Sequence, residues 1–128
     1  MDKVINILIV DDEPDQCNTL KDILEVNGYQ VDTALSSQEA LGAVKIKQYD
    51  LAIIDLVLKE EKNGVEVFKE MKNIRPEIKA LLFTGYGPQE ELGLIFEAAK
   101  SGMLDEILRK PIFPEEFLKA VAKHTRGK

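Results

Sequence analysis

Apolar positions along this chain fall into two alternating rhythms. Ile7-Leu8-Ile9-Val10 is a short run rich in β-branched residues, and it ends in acids. Cys17, Leu20, Ile23 and Leu24 then recur at helical spacing until Gly28 interrupts them. Val31 to Ala34 predicts a second strand, and Ser36 with Glu39 three residues on predicts a capping box opening a helix through Ala40, Leu41 and Val44. Leu51-Ala52-Ile53-Ile54 is a third strand, again ending in an acid, followed by a helix through Val67, Phe68, Met71 and Ile74 that Pro76 closes. Ala80 to Phe83 predicts the fourth strand. Pro88 then opens a helix carrying Leu92, Ile95, Phe96 and Ala99, with Gly102 as its cap. Ile107-Leu108 predicts a brief fifth strand, and Pro114 opens a last helix with Phe117, Leu118, Val121 and Ala122. Strands apolar on both faces require helices on both sides. The expected class is therefore α/β, a doubly wound five-stranded parallel sheet of flavodoxin-like type.

Length and composition narrow this only a little. The 128 residues suit one domain, 1–128, with 45% hydrophobic and 31% charged residues. A net charge of −6 without a local Lys/Arg cluster argues against direct nucleic acid binding. One cysteine excludes an intrachain disulfide, no run is long enough to span a membrane, and no signal peptide is visible. The expected setting is the cytoplasm.

The chemistry gathers where the strands end. Asp11-Asp12-Glu13 follow the first strand, Asp55 the third, Thr84-Gly85 the fourth and Lys110-Pro111 the fifth. In open parallel sheets, ligands sit outside these carboxyl ends, where the strand order reverses. Three carboxylates converging there repel one another, and a hard divalent cation relieves that repulsion; magnesium favours a small set of carboxylates completed by water and phosphate oxygens. Lys110 adds a point charge and Thr84 a hydroxyl for phosphoryl oxygens. Together they form a small phosphoryl-transfer site without a nucleotide-binding glycine loop.

These four elements in this order resemble the response-regulator receiver family of two-component signalling, chemotaxis-regulator-like, along the whole chain. The resemblance implies that Asp55 accepts the phosphoryl group. It also implies that Asp11, Asp12, Asp55 and the backbone carbonyl of Val57 hold Mg2+, with Mn2+ as a substitute. Lys110 would bind a phosphoryl oxygen, Thr84 would act as the switch, and a cis peptide before Pro111 would aim Lys110. Implied partners are a histidine kinase or phosphotransfer protein, and a downstream protein target or an output domain beyond this sequence. The domain would be a monomer or a weak phosphorylation-dependent dimer. It would not be an enzyme in the usual sense, catalysing only its own phosphorylation and autodephosphorylation.

Four features depart from the family pattern. Lys59 stands four residues after Asp55, where proline is frequent; the charged stretch Lys59-Glu60-Glu61-Lys62 makes its loop one residue longer; the interval from Thr84 to Lys110 is longer by about one helical turn; and Ile107 replaces the aromatic switch residue. Signal output is therefore expected through the Tyr86-Gly87 loop and the following helix, with Ile107 as packing.

Other residues invite plainer readings. Cys17 is expected to be a small buried hydrophobe, His124 an exposed last-turn residue, Tyr86 either a gate or a loop aromatic, and residues 59–62 a solvated loop. A pseudo-receiver acting without phosphorylation would have lost an acid or the lysine, and all are present. An aspartate-nucleophile phosphatase would carry a second acid at position 57, where Val57 stands.

Overall fold

The computed structural model describes residues 3–60, 62–85, 93, 96–97, 100, 106–110 and 113–126. The strands are β1 (Asn6–Val10), β2 (Gln30–Ala34), β3 (Leu51–Asp55), β4 (Lys79–Thr84) and β5 (Glu106–Arg109). The helices are α1 (Pro14–Val26), α2 (Ser37–Ile46), α3 (Gly64–Ile74) and α4 (Pro114–Thr125). The expected helix after Pro88 falls mostly outside the described residues, as do Tyr86, Gly87, Gly102 and Pro111. Gly93, Phe96, Glu97 and Lys100 within that segment are helical.

All strand pairs are parallel, in the order β2-β1-β3-β4-β5. The order reverses beside β1, so the crevice forms between the carboxyl ends of β1 and β3. Alternation along the strands divides the core into two layers. Leu8, Val10, Ala52, Ile54, Ala80 and Leu82 face α2 and α3, while Ile7, Ile9, Leu51, Ile53, Leu81 and Phe83 face α1 and α4. At the end of α1, Gly28 (φ 92°) permits the paired bonds Gly28 N–H to Glu25 O and Tyr29 N–H to Leu24 O, which stop the helix and turn the chain into β2.

Two local expectations change. The Ser36 hydroxyl accepts from the Glu39 N–H as foreseen, but Glu39 returns to the Leu35 N–H instead of completing a reciprocal box. The full capping box lies at α3, between Asn63 and Glu66. His124 is buried, at 8% exposure, because it continues the stripe Phe117, Ala120, Val121 at i, i+3, i+4, i+7 and turns toward the sheet. The charged loop after β3 is anchored, as described below.

Candidate carboxylate site at the strand ends

Asp11 leaves β1 while still bonded to β2, its N–H donating to Ala34 O (3.1 Å). Its Oδ1 accepts from the Glu13 N–H at 2.9 Å, and its carbonyl accepts the Cys17 thiol at 3.3 Å. Only 3% exposed, its carboxyl is pushed above the usual carboxylate range, chiefly by burial; the Glu13 N–H opposes this, and Asp55 and Asp12 add to it. Asp55 closes β3. Its Oδ1 accepts from the Val57 N–H (3.2 Å) and its Oδ2 from the Lys110 ammonium (3.1 Å). Burial raises this carboxyl too, against the downward pull of Lys110. Asp12 is half-buried, with Oδ2 accepting the Lys59 N–H.

One oxygen from each of Asp11, Asp12 and Asp55 lies within 4.8 Å of the others. Three hard carboxylate oxygens, two of them on carboxyls that burial makes reluctant to ionise, form a donor set that suits a hard divalent cation and not a soft one. Lys110 faces this group, 3.1 Å from Asp55 Oδ2 and 3.8 Å from Asp11 Oδ2. Its own N–H donates to Thr84 O at 2.7 Å, which fastens the start of the β5 turn to the end of β4. Thr84 is 1% exposed, and its hydroxyl donates to Gly85 O at 3.3 Å. Ile107 is half-buried against the α2–α3 layer. The Val57 side chain points outward, half exposed.

Sequence reasoning missed several supports. Gly64 N–H donates to Leu56 O at 2.8 Å, and a Cβ at Gly64 would sit 2.3 Å from Asp55 O. The start of α3 is therefore pressed onto the peptide that carries Asp55. The Asn63–Glu66 spacing was the available signal for that helix start. The charged loop is exposed at Lys59 and Glu60, as expected of a solvated loop, and it is also tied down. Lys59 bonds Asp12 through its N–H and Glu13 through its ammonium (3.2 Å), Glu60 Oε1 accepts from the Ser37 N–H (3.0 Å), and Lys62 pairs with Glu70 (2.7 Å).

The profile described as "Response regulator receiver domain" matches residues 7–122. The transcriptional regulatory protein ZraR of Salmonella typhimurium is 36% identical over 124 residues, 95% of this chain and 27% of that protein. The chain thus spans about a quarter of that relative's length. The chemotaxis protein CheY of Thermotoga maritima is 33% identical over 118 residues, 91% of this chain and 94% of CheY. A CheY-like receiver domain protein of Methanospirillum hungatei superposes with a TM-score of 0.83 at 28% identity, over 96% of this chain and 94% of that one.

Proposed function

The chain belongs to the response regulator receiver domain family, and from that premise we propose that Asp55 is its phospho-acceptor. Receiver domains are signalling domains of two-component systems, not classical enzymes. On this reading residues 1–128 form one such domain, which catalyses only its own phosphorylation and the later hydrolysis of its aspartyl phosphate. Asp11, Asp12, Asp55 and the Val57 carbonyl would hold Mg2+, or Mn2+ in its place. When bound, the cation neutralises the carboxylates and the phosphoryl oxygens.

Phosphoryl transfer then asks little of the protein beyond placement and charge. An Asp55 carboxylate oxygen forms the new bond to phosphorus as the P–N bond of a phosphohistidine breaks. The imidazole nitrogen keeps that electron pair. Lys110, which now spans Asp55 and Asp11, shifts its hydrogen bond to a phosphoryl oxygen. Thr84 turns its hydroxyl to another oxygen, and its movement is the switch. Ile107 has no ring to reorient and serves as packing. Phosphodonors are a histidine kinase or a phosphotransfer protein, or a small acyl phosphate. The readout is a downstream protein, or an output domain as the partial match to ZraR suggests, with a monomer or a weak phosphorylation-dependent dimer as the active form. No helix among the described residues is long and apolar enough to cross a membrane, in keeping with a cytoplasmic setting.

The observation that carries this reading is the Lys110 ammonium set between Asp55 and Asp11 at the mouth of a three-carboxylate cluster. Wild-type protein treated with magnesium and acetyl phosphate should gain one phosphoryl adduct on Asp55, read by intact-mass and peptide mass spectrometry. Asp55→Asn should gain none. An adduct at full stoichiometry on that variant refutes the assignment.

A further inference from the structure

Lys59 stands on the rim of the carboxylate site and touches it twice. Its peptide N–H donates to Asp12 Oδ2, and its ammonium lies 3.2 Å from Glu13 Oε1. The Asp12 carboxylate is itself within 4.8 Å of those of Asp11 and Asp55. Two further contacts fix the loop in this position, the Glu60–Ser37 bond and the Lys62–Glu70 pair. A proline, frequent at this place in the family pattern, has no N–H to offer Asp12. The side chains of Lys59 and Glu13 are 78% and 56% exposed, and exposed ion pairs hold weakly, so the ammonium can leave Glu13 at little cost.

We propose that Lys59 is a positioning residue that sets the balance between cation and phosphodonor at this site: its N–H aims Asp12, and its ammonium is a tethered counter-ion on the acidic rim. This rests on the phosphoacceptor reading of Asp55. Without a divalent cation, Lys110 pairs with Asp55 and Asp11 within the cluster, and Lys59 pairs with Glu13 at its rim. An arriving divalent ion meets the positive charge of Lys59 within a Debye length and binds less tightly than the three carboxylates alone would allow. An anionic donor feels the same charge as attraction, and the freed ammonium is in reach to meet it. One side chain thus works in opposite directions on the two ligands.

The opposite signs make the test. Magnesium affinity is measured by calorimetric titration. Phosphorylation rate is then followed against acetyl phosphate concentration at saturating magnesium. Lys59→Ala keeps the N–H and removes the charge. It should tighten magnesium about threefold to tenfold and raise the half-saturating donor concentration by about the same factor, with both effects shrinking in high salt. Lys59→Arg should restore both values. Lys59→Pro should repeat the charge effects and also lower the maximal rate, since Asp12 loses its donor. A Lys59→Ala protein in which both ligands weaken together, or neither changes, while the wild type still labels at Asp55, overturns this proposal alone. A wild type that neither binds magnesium nor labels overturns the phosphoacceptor reading along with it.

Discussion

Replacing Gly64 by alanine tests whether α3 really bears on the peptide of Asp55. The added methyl would stand 2.3 Å from Asp55 O and 2.9 Å from Leu56 Cα, about 1 Å inside ordinary van der Waals contact. Neither neighbour yields easily, because Leu56 N–H is bonded to Phe83 O at 2.8 Å and Leu56 O accepts the Gly64 N–H at 2.8 Å. Overpacking of this kind costs about 1–3 kcal/mol. Loss of the Gly64–Leu56 bond as the helix retreats adds about 1 kcal/mol. Better helix propensity returns something under about 1 kcal/mol at this first helical position. The net cost is about 1–4 kcal/mol, a fall in melting temperature of roughly 4–16 °C for a domain of 128 residues. Gly42 provides the contrast. It lies inside α2 with nothing within 4 Å of the added atom, so Gly42→Ala should raise the melting temperature by about 2–4 °C through helix propensity alone. Scanning calorimetry on both variants decides the matter, with the Asp55 labelling rate as second readout. A displacement of about 1 Å at Asp55 should slow labelling by up to about a hundredfold in Gly64→Ala. A Gly64→Ala protein that melts within about 2 °C of wild type would refute the close approach.

Two further outcomes follow from the charges of the site. The raised carboxyls of Asp11 and Asp55 mean that the metal-free native state holds protons which the unfolded chain releases, so stability falls as pH climbs from about the usual value of 3.8 through the folded values. Asp55→Asn should therefore be more stable than wild type at pH 7 in chelator, with the advantage shrinking toward pH 4 and below; denaturant melts showing a pH-independent difference would contradict it. Magnesium should stabilise the wild type by about 2.7 kcal/mol at a hundred times its dissociation constant, read as a higher melting temperature, and Asp12→Ala should blunt that rise.

Much of this was legible along the chain because the relevant signals are local. Ile7–Val10 and Leu51–Ile54 announce central parallel strands by being apolar on both faces, and the acids that end them cannot belong to a core. The partnership of Lys110 with Asp55, 55 residues apart, followed from each ending its strand in one doubly wound sheet. What stayed hidden was cross-loop contact. Nothing in Lys59-Glu60 indicates that one residue reaches Asp12 and the other Ser37, since a charged loop reads alike whether solvated or pinned. His124 was misjudged for another reason: its type suggested a helix end in water, whereas its spacing from Phe117 and Val121 placed it in the packed stripe. Where type and period disagreed, period prevailed.

Cys17 offers the molecule an internal clock. Its thiol, 1% exposed and bonded to Asp11 O, has its pKa raised to about 11 by burial, with the nearby carboxylates adding to it. At neutral pH about one molecule in ten thousand would carry the reactive thiolate, and even that one is shielded from solvent. An unfolded chain presents an ordinary thiol instead. Because the sequence has a single cysteine, the rate at which a thiol reagent modifies the protein counts openings of the layer between α1 and the sheet, with no competing background from a second site. Since that layer begins one hydrogen bond from Asp11, occupancy of the carboxylate site and the breathing of the core beneath it become readable from the same sulfur.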